Sequence, residues 1–351
     1  MNKQAFTTSA PGYQFASDNT AGICPEALAA LLDANAGAMA SYGNDEITAR
    51  VADKLREIFE CPCEVFFVFN GTAANSLAVS TCCHPYHSVI CADVAHLETD
   101  ECGGPEFFSG GAKVLVAESR DGKLAPASVE KLITGRKDIH YPKPRVVSIT
   151  QPTELGTLYS VDEIQELSAL ARRFGLRLHM DGARLANALA AMGKAPSEIT
   201  WKAGVDILCL GGAKIGLPLG EAILFFDKEL ATDFAYRCKQ AGQLASKMRF
   251  LTAPWLGVLN DSVWLRHAAH ANAMARRLST GLANIGGVQV LYPMEVNAVF
   301  ASLPEACHRK LAERGWHYYT FIGRGGARFM CSWATTEQDV DALLADVCSV
   351  S

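Results

Sequence analysis

The sequence predicts an α/β fold: a large domain on a mostly parallel sheet, then a smaller C-terminal α+β domain. Three observations carry this. Short runs such as EVFFVF (64–69), SVICAD (88–93) and DILCLGG (206–212) are apolar without alternation, as strands buried on both faces are. Segments of helical spacing separate several of them. After about residue 252 that pattern gives way to a long Ala-rich helical region followed by shorter elements.

Taken in order, Asn44 reads as an N-cap, and Ile47, Val51, Leu55 and Phe59 then recur at helical spacing. EVFFVF is a strand, and NGTAANSLAVSTCC (70–83) turns from loop into helix. SVICAD, KVLVAE, RVVSITQ, LRLHMD, DILCLGG and EAILFF are further strands. Ser160-Val-Asp-Glu163 is a capping box that opens a helix over 161–174. Beyond 252 come a helix over roughly 254–285, GVQVLYP, NAVFASL, a helix near 304–314, WHYYTFI and ARFMCSW, with a last helix from Thr335. A chain of 351 residues suggests two domains, drawn here as 14–252 and 253–351 with the long helix as the link.

Composition narrows the class. With 49% apolar residues the chain can bury a sizeable core. A net charge of −5 with no basic stripe points away from nucleic acid. No run approaches the length of a membrane span, and MNKQAFTTSAPGYQFASDN lacks the apolar stretch of a signal peptide. The expectation is a soluble, cytoplasmic protein. The 12 cysteines are scattered through apolar stretches, as small buried hydrophobes would be in a reducing compartment. The tightest group is Cys61 and Cys63 followed by CCHPYH (82–87). A zinc site from Cys82, Cys83, His84 and His87 would need adjacent ligands, which suit a tetrahedron poorly, so no metal is assigned.

In open α/β sheets ligands bind beyond the carboxyl ends of the strands, so the residues there were read for chemistry. After EVFFVF comes Asn70-Gly71-Thr72-Ala73-Ala74-Asn75, a glycine and the start of a helix. Gly71 and Thr72 could hold an anion such as phosphate, although an ordinary Thr-capped helix reads the same way. His96 follows SVICAD, and by itself could be any loop histidine. Asp181-Gly182-Ala183-Arg184 follows LRLHM. A buried acid there needs a partner, and Arg184 is the local candidate. Gly211-Gly212-Ala213-Lys214 follows DILCL and offers a desolvated lysine with a nucleophilic amine. Together, a phosphate cradle, a residue to stack on a ring, a buried acid and a lysine match one cofactor, pyridoxal 5′-phosphate. On this reading the Lys214 loop is rich in glycine so that the cofactor can lie flat against it.

The succession SDN, YGND, NGTAAN, AHLETDECGGPEF, HMDGARLANA, GGAKIGLPLGEAILF and CKQAGQLASKMRF resembles the L-threonine aldolases (β-hydroxy-α-amino acid aldolases). These are pyridoxal-phosphate enzymes of the aspartate-aminotransferase fold, fold type I. The resemblance runs from about Phe15 to the final helix. It implies that Lys214 holds the cofactor, Asp181 pairs with the ring nitrogen and His96 stacks on the ring. Gly71 and Thr72 would hold the phosphate. Arg184 would sit near the phenolic oxygen and the substrate carboxylate, with Ser17 and Arg328 as further carboxylate contacts. Lys239 would reach a neighbouring subunit's phosphate in a homodimer or homotetramer with sites at the dimer interface. Many members carry Thr-His-Asn where this chain has Gln151-Pro152-Thr153-Glu154, so a second histidine is missing, which hints at bulky aryl substrates such as phenylserine.

The implied reaction is retro-aldol cleavage of L-threonine, L-allo-threonine or phenylserine to glycine and an aldehyde, with His96 or a water as base. Its rivals are another fold type I reaction, β-elimination or hydroxymethyl transfer, and a non-catalytic protein of the same fold. A scaffold would need none of Lys214, Asp181 and His96 together.

Overall fold

The computed structural model describes residues 14–320 and 326–349. Residues 1–13 of the N-terminal stretch read for a leader lie outside them, as do the last two residues of WHYYTFI.

The first half alternates strands and helices as expected: α1 (Pro25–Asp33), α2 (Glu46–Ile58), β1 (Glu64–Val68), α3 (Gly71–Cys82), β2 (His87–Ala92), α4 (His96–Thr99), α5 (Gly104–Ser109) and β3 (Lys113–Ala117). Two caps fall one or two residues from their expected places. Asp45, not Asn44, caps α2, its carboxylate accepting the Thr48 N–H at 2.8 Å. Asn70, not Thr72, caps α3 by accepting the Ala73 N–H at 2.9 Å. In both the capping side chain stands three residues before the N–H it accepts, within reach of the first turn.

A two-residue hairpin, β4 (Ser119–Arg120) and β5 (Lys123–Leu124), was not foreseen, because strands that short leave no periodicity. Next come α6 (Pro126–Gly135), β6 (Lys143–Thr150), α7 (Val161–Arg173), β7 (Arg177–Gly182), α8 (Leu185–Met192), β8 (Ile207–Leu210) and β9 (Glu221–Phe225). The capping box at Ser160 and Glu163 is formed. The chain ends with α9 (Phe234–Gln240), α10 (Arg249–Leu259), α11 (Val263–Ala283), β10 (Gln289–Val290), β11 (Ala298–Ser302), α12 (Glu305–Glu313), β12 (Ala327–Met330) and α13 (Glu337–Cys348). The single helix expected over 254–285 is two, α10 and α11. They part at Asn260-Asp261-Ser262, where Asp261 and Ser262 take φ of 51° and 54°. Such side chains hydrogen-bond to nearby backbone and compete with the helix.

The large sheet runs β1-β9-β8-β7-β6-β2-β3. Its strands are parallel except β9, which runs antiparallel to β8 and β1. This arrangement builds one chemical edge. The carboxyl ends of β1, β2, β6, β7 and β8 share it, and because β9 is reversed its first residue, Glu221, arrives there opposite Val68. Strands and flanking helices enclose the main core, which includes Val51, Leu77, Ile90, Met180 and Leu208.

A second core gathers Leu278, Val299, Phe329 and Leu343 around the small sheet β10-β11-β12. Phe15 belongs to it, held by its N–H to the His317 carbonyl and by its carbonyl to the Met330 N–H. The segment after Phe15 therefore passes between the two cores and carries Ser17, Asp18 and Asn19 to the edge of the large sheet. Among the described residues no helix is long and apolar enough to cross a membrane.

Candidate active site

A cavity of about 200 Å³ lies at that edge, and Gly71, Thr72, His96, Asp181 and Lys214 all line it. Five residues from four strand exits and 144 positions of sequence are thus brought to one place. Register explains part of this, since Asp181 is level with Thr150 on one side and Cys209 on the other.

Asp181 is buried and fully engaged. Its Oδ1 accepts the Ala183 N–H at 2.9 Å, and its Oδ2 accepts from Asn75 Nδ2 at 2.8 Å. Arg184 is not its partner. Arg184 instead donates two bonds to Asp18, from Nε at 2.6 Å and from Nη2 at 3.0 Å. The local pairing expected from the DGAR spacing yields to a bidentate pair with the N-terminal segment, because Asp181 already has its donors. Burial works to raise the Asp18 carboxyl, but Arg184 and Lys214 outweigh it and hold the group below its ordinary value.

Asn75 was not singled out, although its spacing from Gly71 puts both on one face of α3. It bridges two buried acids, donating from Nδ2 to Glu101 Oε1 at 2.8 Å as well as to Asp181. Glu101 in turn meets His96 Nδ1 at 3.0 Å. A hydrogen-bonded chain therefore runs Asp181–Asn75–Glu101–His96. The bond to Glu101 lifts His96 above the usual imidazole range against the pull of burial. Burial also raises Glu101. Nothing in the local sequence separates Glu101 from its acidic neighbours Glu98 and Asp100.

Lys214 stands in a single turn of 3₁₀ helix, Ala213–Ile215, straight after β8. Its glycines have a different cause from the one expected. A Cβ on Gly211 would come within 2.1 Å of the Ala183 carbonyl oxygen, and one on Gly212 within 2.3 Å of the Gly220 carbonyl oxygen. Protein backbone by itself demands them. Gly71 is the opposite case: a Cβ there would meet no protein atom within 4 Å, and the residue lines the cavity. Glu221, also missed, lies under the turn with its Oε2 accepting the Gly212 N–H at 2.6 Å. Burial pushes its carboxyl up to about 7.

Arg328, on β12, is buried, donates from Nη2 to the Ala16 carbonyl at 2.9 Å, and keeps an Nε with no hydrogen-bond partner. Burial and the nearby Arg184 lower it to about 10. Ser17 caps the short turn that holds Asp18, accepting the Asn19 N–H at 3.2 Å. Lys239 is not brought to this cavity. Its ammonium sits 4.5 Å from the Tyr42 ring centroid and lines a separate surface groove with Tyr236 and Arg237. The Cys82, Cys83, His84 and His87 group does not converge on a common point either. Among the described residues the trio that does is Cys24, Glu26 and His267.

The donor set fits pyridoxal phosphate. The first N–H groups of α3 are left free for an anion once Asn70 has taken that of Ala73. A buried carboxylate, a lysine and a histidine line the same space. Comparison with known proteins agrees. The model of the beta-eliminating lyase family matches residues 14–306. A low specificity L-threonine aldolase of a Pseudomonas species is 60% identical over 96% of this chain and 97% of its own. The structure of Leishmania major threonine aldolase superposes with a TM-score of 0.89 at 30% identity, covering 95% of this chain and 98% of that one. Thermus thermophilus aspartate aminotransferase, at 17% identity and a TM-score of 0.70, shares the fold, fold type I. The chain belongs to the beta-eliminating lyase family and, within it, to the pyridoxal-phosphate-dependent L-threonine aldolases.

Proposed function

We propose that this enzyme cleaves L-threonine and related β-hydroxy-α-amino acids to glycine and an aldehyde. The observation that carries the reading is the convergence of Lys214, Asp181 and His96 on one cavity at the strand ends, in a chain 60% identical to a low specificity L-threonine aldolase.

When bound through Lys214, pyridoxal phosphate supplies an electron sink for the pair left by the broken Cα–Cβ bond. The protein does the rest. Gly71 and Thr72 would offer N–H groups at the positive end of α3 to the phosphate. Asp181, fixed by Asn75 and the Ala183 N–H, would keep a proton on the ring nitrogen. His96, oriented by Glu101, would stand beside the ring. Arg328 has an unused Nε to offer a substrate carboxylate, and Arg184 and Ser17 fix the segment around it. Holding the carboxylate orients the bond to be broken, and positioning of this kind is worth about 7–11 kcal/mol in favourable cases. Lys239, which is outside its own cavity, would serve a neighbouring subunit in a homodimer or homotetramer. Its place on a surface groove supports that reading.

The test is Lys214→Ala. The variant should lose both the visible absorption of lysine-bound cofactor and all release of glycine and aldehyde from threonine, allo-threonine and phenylserine. Normal turnover would sink the assignment. Release of pyruvate and ammonia by the unaltered enzyme would move it to a β-eliminating reaction.

A further inference from the structure

We infer that Glu154 is the specificity-determining residue that accepts a hydrogen bond from the substrate's β-hydroxyl; this rests on the aldolase reading above. Glu154 lines the cavity together with Lys214, His96 and Asp181. Among the described residues its carboxylate makes no hydrogen bond and no ion pair, while every other cavity carboxylate has at least one N–H donor. It is a free acceptor at a ligand site. Its charge is felt by His96, Arg184 and Arg328, the residues read above as flanking the cofactor and the substrate carboxylate.

The loop that carries it is pinned. At its base the Gln151 side chain donates to the Tyr159 carbonyl and accepts the Tyr159 N–H, at 2.9 and 3.0 Å. One step further, the Thr153 and Thr157 hydroxyls meet at 2.7 Å, and that of Thr157 reaches the Asp121 carbonyl. Leu155, next to Glu154, is buried against Tyr292, Phe300 and Met330 of the small-sheet layer. Glu154 is thus presented on a rigid tip tied to both layers of the molecule, and little ordering remains to be done on binding. A carboxylate cannot serve the substrate carboxylate, which it repels, nor a phosphate. With the amine committed to the cofactor, what remains in a β-hydroxy-α-amino acid is the hydroxyl, a donor.

The experiment compares L-serine with L-alanine, which differ by that hydroxyl alone, in equilibrium titrations of the cofactor-loaded enzyme followed by the change in cofactor absorption. The unaltered enzyme should prefer serine. In Glu154→Ala that preference should fall roughly ten- to hundredfold, the scale of a lost charge-assisted hydrogen bond. Glu154→Gln, which keeps an acceptor and the shape, should lose less, and it carries the test by itself if the alanine variant does not fold. Glycine should bind as well as before or better, because a negative charge has left the neighbourhood of Arg184 and Arg328. An unchanged serine preference in both variants, or an equal loss for serine, alanine and glycine, would overturn the inference. If the unaltered enzyme cleaves no threonine, the aldolase reading fails separately, while the serine and alanine titrations still report on Glu154.

Discussion

Asp181 and Arg328 are equally buried, each 6% exposed, yet their surroundings are opposite. Both oxygens of Asp181 have donors, and the hydrogen-bonded chain continues through Asn75 and Glu101 to His96. Arg328 keeps an unpartnered Nε and faces another guanidinium, that of Arg184. A buried donor without an acceptor is costly even with the charges of Asp18 and Glu154 nearby, so it suits a place where a ligand supplies the missing partner. The sheet end of the cavity is finished before anything binds, as befits a resident cofactor. The side toward the small sheet, where Arg328 lies beyond the residues that line the cavity, is left open with an unused donor, as befits a substrate that comes and goes.

The comparison breaks first at Asp181. Asp181→Asn removes the anion while keeping the shape and an acceptor for the Ala183 N–H. If the finished end is electrostatic machinery, kcat should fall about 10²–10³-fold, the scale of losing a preorganised charge contact, while the cofactor band persists. Steady-state kinetics with threonine would measure it. Equal kcat in the two proteins would make the network mere packing.

Next comes Arg328→Gln. If the open end binds the substrate carboxylate, KM for threonine should rise about ten- to hundredfold, the cost of losing hydrogen bonds to a charge. Affinity for pyridoxal phosphate should not change. A loss of cofactor affinity with KM intact would reverse the assignment of the two ends.

The finished end was also the more legible in sequence. Lys214, Asp181 and His96 each follow an apolar strand, and a parallel sheet gathers such exits by itself. Asn75 was within reach through its helical spacing from Gly71. Glu101 was not, because its burial depends on how α4 and α5 pack around it. Glu221 sits on the chemical edge only because β9 is antiparallel in an otherwise parallel sheet, and no local pattern announces a reversed strand. The open end depends on contacts far apart in the chain. Arg184 reads as the partner of an acid three residues away, and the structure gives it one 166 residues away. The Gly211 and Gly212 backbone shows the same limit: spacing revealed the glycines, but only the approach of Ala183 and Gly220 explains them.

Glu221 sharpens the comparison from the side of stability, since a finished network can still carry a burden. Its carboxyl is pushed from 4.5 to about 7 by burial, despite the Gly212 N–H and the charge of Lys214. The sign follows from linkage: the folded protein holds this proton more tightly than the unfolded chain does. Below about pH 4.5 both states keep it and Glu221 costs nothing. As pH rises toward 7 the unfolded chain releases it first, and the fold loses roughly 3 kcal/mol by the ordinary conversion of 1.36 kcal/mol per pH unit. Glu221→Gln keeps an acceptor for the Gly212 N–H without a charge to bury. Its melting temperature should therefore exceed that of the unaltered protein by a few degrees at pH 8, and the gap should close below pH 5. Scanning calorimetry of both proteins across that range checks it. A gap of the same size at pH 4.5 and pH 8 would show that Glu221 acts through packing, and the finished end of the site would then carry no electrostatic burden at this position.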